Sequence, residues 1–207
     1  MNLHPVTMPT RQQYDAAFAA ECARSYPEIR EYEIETGCAI DRERLESAAR
    51  ILACPVKASP PNWQHGRILY ATARRYLVTS DSPVRIVDIG TAKGFSALML
   101  LWALNDSGKE GRVESVDVID PNAKVFRNSV LDVDGDRRLS DYHRDWPEAE
   151  AITFRKSTGV DWLSLTKERV HLAFVDGKHS ADVVEIGRAS CRERGPSKCR
   201  SRWSPYH

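Results

Sequence analysis

The chain has no run approaching eighteen consecutive apolar residues, which excludes a membrane-spanning helix. Its opening stretch, MNLHPVTMPT, has neither the basic region nor the apolar core of a secretory signal. Five cysteines, at 22, 38, 54, 191 and 199, are odd in number and form no pair at metal-ligand spacing, so a disulfide framework is excluded. An excess of one charge is also missing, with 30 basic and 29 acidic residues giving +1. These absences describe a soluble, cytoplasmic protein with reduced thiols and no membrane partner. What is present is 207 residues at 42% hydrophobic content, enough to bury one core of ordinary size.

The near-zero total conceals an uneven distribution. Six of the basic residues and one acidic residue (Glu193) lie from 187 onward, so the tail carries +5 and the body −4. The tail GRASCRERGPSKCRSRWSPYH has no apolar period of 2 or 3.6 and cannot bury a face. Just before it, HSADVVEI opens like a helix capped by Ser180 and stops partway along its apolar stripe. EIGRASCRER and CRSRWSPYH resemble the in-frame translation of a common sequencing adapter. The expected organisation is therefore a helical N-terminal cap over 1–65, an α/β core over 66–185 and a non-native tail over 186–207.

Residues 10–53 read as two or three amphipathic helices. One places Tyr14, Ala17, Phe18, Cys22 and Tyr26 on a side; another is capped by Asp41 and turns Leu45, Ala48, Ala49 and Leu52 inward. Pro-rich CPVKASPPN interrupts, and a further helix follows with Ile68, Leu69, Ala71, Thr72 and Tyr76 toward its buried side. From residue 84 short apolar strands alternate with helices: VRIVDIG, the helix KGFSALMLLWALND, GRVESVDVID, a helix over PNAKVFRNSVL with Pro121 in its first turn, a polar connection, AITFRKS, the short helix TGVDWLSLTKE, and VHLAFVDG. Such alternation predicts a mostly parallel sheet with helices on both faces.

In sheets of this kind ligands bind at the carboxyl ends of the strands. Three segments fall there. Asp88-Ile89-Gly90-Thr91-Ala92-Lys93-Gly94-Phe95-Ser96 joins the first strand to its helix, where glycines at 90 and 94 let a ligand approach backbone and the helix offers unpaired N–H groups. The spacing is neither G-x-G-x-x-G nor a phosphate loop. In Ser115-Val116-Asp117-Val118-Ile119-Asp120-Pro121 an acid ending the second strand can accept from two ribose hydroxyls. Asp117 is the first candidate, and Asp120, which also suits a plain Asp-Pro turn, the second. In Phe174-Val175-Asp176-Gly177-Lys178-His179 an acid and an imidazole meet if the chain turns at Gly177. The run DVDGD at 132–136 lacks the ligand order of a calcium loop.

G-x-x-x-G after an acid resembles motif I of the class I S-adenosylmethionine-dependent methyltransferases, and V-D-G-x-H resembles the fourth-strand motif of their small-molecule O-methyltransferases of cephalosporin and macrolide-sugar type. The resemblance covers about residues 62–185. It implies a Rossmann-like methyltransferase fold with an N-terminal helical cap, incomplete at the C-terminus because the family's sheet has seven strands. It implies S-adenosylmethionine held along Asp88, Gly90, Thr91, Gly94, Ser96 and Asp117, with Thr158 and Gly159 near the adenine and Gln64 and His65 in the cap. His179 would be the general base and Asp176 a magnesium ligand. The expected activity is O-methylation of a small-molecule acceptor, with weak cofactor binding and little turnover from a shortened sheet. Magnesium dependence and a homo-oligomer stay open, nucleic acid is not an expected partner, and the alternative is a non-catalytic nucleoside-binding module.

Overall fold

Four parallel strands organise the molecule. The computed structural model describes residues 8–176. Helices α1 (Arg11–Cys22), α2 (Pro27–Thr36), α3 (Arg42–Leu52) and α4 (His65–Val78) precede β1 (Val84–Ile89), α5 (Phe95–Asp106) and β2 (Gly111–Asp117). An irregular crossover with short 3-10 turns and α6 (Leu139–Tyr142) leads to β3 (Ile152–Lys156), α7 (Gly159–Leu165) and β4 (Leu172–Val175). The strand order is β3-β2-β1-β4, and every pairing is parallel. The order reverses beside β1, so its carboxyl end opens on the crevice where such sheets take ligands. This is the Rossmann-like architecture that the strand and helix alternation predicts.

The two faces of the sheet are covered unequally. In the parallel register Ile86 and Val113 point to one side, where α4 and α5 pack, and Val87, Ile89 and Val116 point to the other, where Trp162 of α7 lies. Helix α5 is buried from Phe95 to Leu104 on every side, as an apolar helix sandwiched between sheet and helices must be. Burying each large aliphatic chain there contributes about 1.5–3 kcal/mol. The smaller face replaces part of that apolar cover with charge. Glu114, 3% exposed, accepts from Arg85 at 2.9 Å, Arg112 at 3.0 Å and Arg155 at 3.0 Å, and Arg85 also lies over the Trp162 ring at 4.9 Å.

Local chemistry explains the N-terminal helices. Thr10 and Gln13 form a capping box on α1, and Asp41 caps α3 through the Arg44 N–H. Tyr14 is buried with Phe18 and Cys22 beside it, and Leu45, Ala48, Ala49 and Leu52 all face the core. Three helices form within 10–53. On α4 the expected stripe holds in part, with Leu69 and Tyr76 packed partly buried against the core. Ala71 is buried, but Ile68 is 40% exposed and Thr72 lies outside, its hydroxyl 2.9 Å from that of Tyr32. The buried face centres on Gly66, Tyr70, Ala71, Ala73 and Leu77, because α5 comes so close that a Cβ at Gly66 would lie 2.7 Å from the Phe95 ring.

The helix expected over residues 121–131 does not form. Asp120 accepts from the Asn122 N–H at 2.8 Å, Asn128 takes φ +58°, and Ser129 caps a 3-10 turn, Val130–Asp134. Local side-chain bonds outcompete the helical ladder. The crossover is also less polar than its composition, since Leu139, Tyr142, His143, Trp146 and Ala149 are all buried.

Candidate functional site

The site is built where β1 gives way to α5. Pairing runs one residue past the strand, the Gly90 N–H donating to the Val116 carbonyl at 2.9 Å. The chain then alternates through three left-handed residues, Gly90 at φ +105°, Ala92 at φ +48° and Gly94 at φ +83°. Only the middle one carries a Cβ, and such a conformation persists in a non-glycine residue where neighbours fix it. Gly94 serves as the N-cap of α5 and no side chain caps that helix, so its first N–H groups remain available to a negative group at the positive end of the helix dipole.

Asp117 closes β2 directly beside this loop. Its Oδ2 accepts from the Ala92 N–H at 3.0 Å and its Oδ1 from the Ile119 N–H at 3.0 Å. Each oxygen accepts only one of these bonds, and a carboxylate oxygen has capacity for two. Asp120 turns away into its own loop, so of the two candidate acids Asp117 is the one that touches the glycine loop.

Asp88, Thr91 and Ser96 lie beneath the loop. The Asp88 carboxyl is wholly buried and accepts from the Ser96 hydroxyl at 2.8 Å and the Ser115 hydroxyl at 2.7 Å, while the Thr91 and Ser115 hydroxyls are 2.7 Å apart. Burial pushes Asp88 up to about 7; the Ser115 and Ser96 hydroxyls pull it down, and the charges of Asp176 and Asp117 push it up. These three side chains brace the loop from below and face the interior. Gly94 is constrained as well, since a Cβ there would fall 2.5 Å from the His143 ring.

On the other side of the crevice, Asp176 follows β4, and its N–H donates to the Ile89 carbonyl at 2.9 Å. His65 begins α4 with its ring 5.3 Å from that of Phe95 and Nδ1 2.7 Å from the Asn62 carbonyl. A proton on Nδ1 leaves Nε2 as the ring's acceptor. Burial lowers the His65 pKa, opposed by the Asn62 carbonyl and the charge of Asp176. Gln64 is buried and accepts from Arg67 at 3.1 Å, which makes it part of the packed helix start. Thr158 caps α7, its hydroxyl accepting from the Asp161 N–H at 3.0 Å, and Gly159 is pressed against Ile89. Gly177, His179, Ser180 and the tail lie outside the described residues.

Two features were not anticipated from the sequence. Lys93 is buried beneath the loop, and His143, from the connection read as merely polar, packs over Gly94. The G-T-A-K-G stretch places Lys93 where it must be buried or exposed with the loop, but nothing periodic marks His143. Two cavities, of about 380 Å³ by the Pro55–Pro61 segment and about 620 Å³ by Met8 and Phe126, lie away from the strand ends. Among the described residues no group of three His, Cys, Asp or Glu side chains is placed to hold a metal ion. The single carboxylate of Asp176 does not supply the octahedral oxygen set that magnesium takes. No helix among the described residues is long and apolar enough to cross a membrane.

Residues 87–189 match a family model described as a methyltransferase domain. Among solved structures, the chain is similar to an SAH-bound methyltransferase of Podospora anserina (16% identity, 91% of this chain and 68% of that one, TM-score 0.45). It is also similar to an O-methyltransferase of Streptomyces achromogenes involved in tomaymycin synthesis, solved with SAM (19% identity, 74% and 61%, TM-score 0.45). A third is the C-terminal domain of precorrin-6Y C5,15-methyltransferase of Rhodobacter capsulatus (12% identity, 69% and 61%, TM-score 0.42). The chain thus spans about two thirds or less of the length of these proteins. No curated protein matches the sequence.

Proposed function

We propose that this chain is a methyltransferase that binds S-adenosylmethionine at the Gly90–Gly94 loop and transfers its methyl group to a hydroxyl of a small-molecule acceptor. The observation that carries this reading is the Asp117 carboxylate, at the end of β2 and hydrogen-bonded to the glycine loop at Ala92. Its spare acceptor capacity suits the two hydroxyls of a ribose. The uncapped start of α5 suits the carboxylate of the methionine portion. These residues fit the cofactor, which when bound supplies an electrophilic methyl group.

The protein's own task is then to align the acceptor and take its proton. Two imidazoles belong to this reading. His65 holds an Nε2 lone pair at the start of α4, and His179 follows Asp176 by three residues. The charge of Asp176 favours the protonated form of His65 and so helps it hold a proton released by the acceptor.

Isothermal titration with S-adenosylmethionine tests the cofactor half. The wild-type chain is expected to bind, and Asp117→Ala to bind at least tenfold more weakly, a loss of about 1.4 kcal/mol. SAH release across a panel of phenols and sugars tests the second half, with His179→Gln and His65→Gln expected to lower turnover and leave cofactor affinity in place. Absence of binding by the wild type overturns the proposal. Binding with no turnover on any acceptor supports a nucleoside-binding module instead.

A further inference from the structure

One residue of the glycine loop is fastened twice to the crossover between β2 and β3. The Lys93 side chain, 6% exposed, donates from Nζ to the carbonyls of Arg127 at 3.2 Å and Asn128 at 3.1 Å. Its own carbonyl lies 2.7 Å from His143 Nε2. Asn128 in turn is a junction: its Oδ1 accepts from the Tyr14 hydroxyl at 2.9 Å and the Val56 N–H at 3.0 Å, and its Nδ2 donates to the Val56 carbonyl at 3.0 Å. Next to it, the Ser129 hydroxyl donates to the Ile51 carbonyl at 2.7 Å. A buried polar chain thus runs from α1 and the end of α3, through 127–129, to the residue adjoining Ala92. Ala92 is the left-handed residue whose N–H meets Asp117.

We propose that Lys93 is a positioning residue, through which the N-terminal helices and the β2–β3 crossover hold the glycine loop in the shape that accepts the cofactor. This rests on the assignment of the loop as the S-adenosylmethionine site. The Lys93 ammonium is engaged by the Arg127 and Asn128 carbonyls, within the protein's own backbone. An ammonium on a carbonyl is a charge-assisted bond, roughly twice as strong as the neutral amine makes. The hold on the loop therefore weakens when the amine loses its proton.

That loss falls in an accessible range. Burial lowers Lys93 to about 8, with Asp132 and Cys54 favouring the charged form and Lys57 and Arg127 opposing it. The other shifted groups around it titrate elsewhere: burial pushes Cys54 up to about 11 and Tyr14 up to about 12, raises Tyr142 further, and moves His143 below its ordinary value.

The test is cofactor affinity of the full chain from pH 7 to 9.5, measured by titration calorimetry for wild type, Lys93→Met and Lys93→Arg. The wild type is expected to lose about fivefold in affinity relative to Lys93→Arg across this range, because the guanidinium stays charged. Lys93→Met is expected to bind about tenfold more weakly at pH 7 and to lack the lysine-dependent slope. Titration of the ligand's own amine is common to all three chains and cancels in their ratios. Parallel pH profiles for wild type and Lys93→Arg overturn the proposal, and this pair carries the test even if Lys93→Met fails to fold. Hydrogen exchange of residues 90–94 at pH 7 without ligand separates the two readings. If no chain binds the cofactor and exchange still quickens in Lys93→Met, the site assignment fails and the positioning role stands. If exchange is unchanged, the positioning role fails.

Discussion

The two connections that leave β1 and β2 do the same topological work by different means. The first is α5, an apolar helix buried nearly end to end, whose stability comes from non-directional burial. The second is an irregular stretch of more than thirty residues between β2 and β3, closed by directional bonds to a few interior polar groups. Asp132, 1% exposed, accepts from the N–H groups of Arg127 and Ser129 at 3.0 and 2.9 Å and from the Tyr142 hydroxyl. The first connection is set by shape and area, so it tolerates repacking. The second is set by pairing, and a lost partner leaves interior donors without water.

The largest effect expected from breaking this contrast lies in α5. Leu98→Ala removes a fully buried side chain, with a cost of about 3 kcal/mol, and urea denaturation should show it as a fall in midpoint. Leu98→Met, by comparison, should cost under about 1.5 kcal/mol. In the second connection Asp132→Ala should cost about 2–3 kcal/mol by stranding its donors. There the near-isosteric Asp132→Leu should recover little, since a leucine side chain accepts from none of the stranded donors. Equal tolerance of Leu98→Met and Asp132→Leu would remove the distinction.

Acidity sharpens the comparison further, because two interior acids respond in opposite directions. Glu114 is lowered to about 2: although burial raises it, the hydrogen bonds and charges of Arg85, Arg155 and Arg112 outweigh that. Its folded pKa lies below the unfolded one, so its stabilisation is present above about pH 4.5 and is lost as pH falls toward 2. Asp88 is raised to about 7 by burial, so its contribution is full below about 3.8 and is lost as pH rises through 7. Thermal melts should therefore show Glu114→Gln removing stability at neutral pH but little at pH 2. Asp88→Asn should flatten the decline between pH 4 and 8.

The smallest effect is expected at Ala92. Its φ of +48° disfavours a Cβ, so Ala92→Gly should leave stability within about 1 kcal/mol of the wild type and not below it by more. A marked loss by calorimetry would mean that the Cβ makes contacts outweighing the strain.

What was legible in the sequence follows the same division. The four described strands show as short apolar runs, α5 as one unbroken apolar run and α3 as a stripe at helical period, and each forms where its pattern puts it. Ile68 and Thr72 of α4 were misplaced because the residues that decide its buried face, Gly66 and Ala73 among them, are small and admit a neighbour without filling space themselves. The helix expected over 121–131 fails on side-chain-to-backbone bonds at Asp120, Asn128 and Ser129, which no hydrophobic period registers. At the site, the glycine loop and Asp117 could be found because turns and strand-end acids leave local marks. His143 could not, since its partner is a backbone carbonyl fifty residues earlier.

Asn128 has a consequence for what substitutions this protein can accumulate. The position asks simultaneously for a backbone at φ +58° and for an amide that gives and receives at once. Glycine meets the first demand and has no amide; aspartate lacks the donor; glutamine is a residue too long and tolerates the left-handed backbone poorly. Among the twenty residues one satisfies both, so drift at this place should be silent in the gene and invisible in the protein.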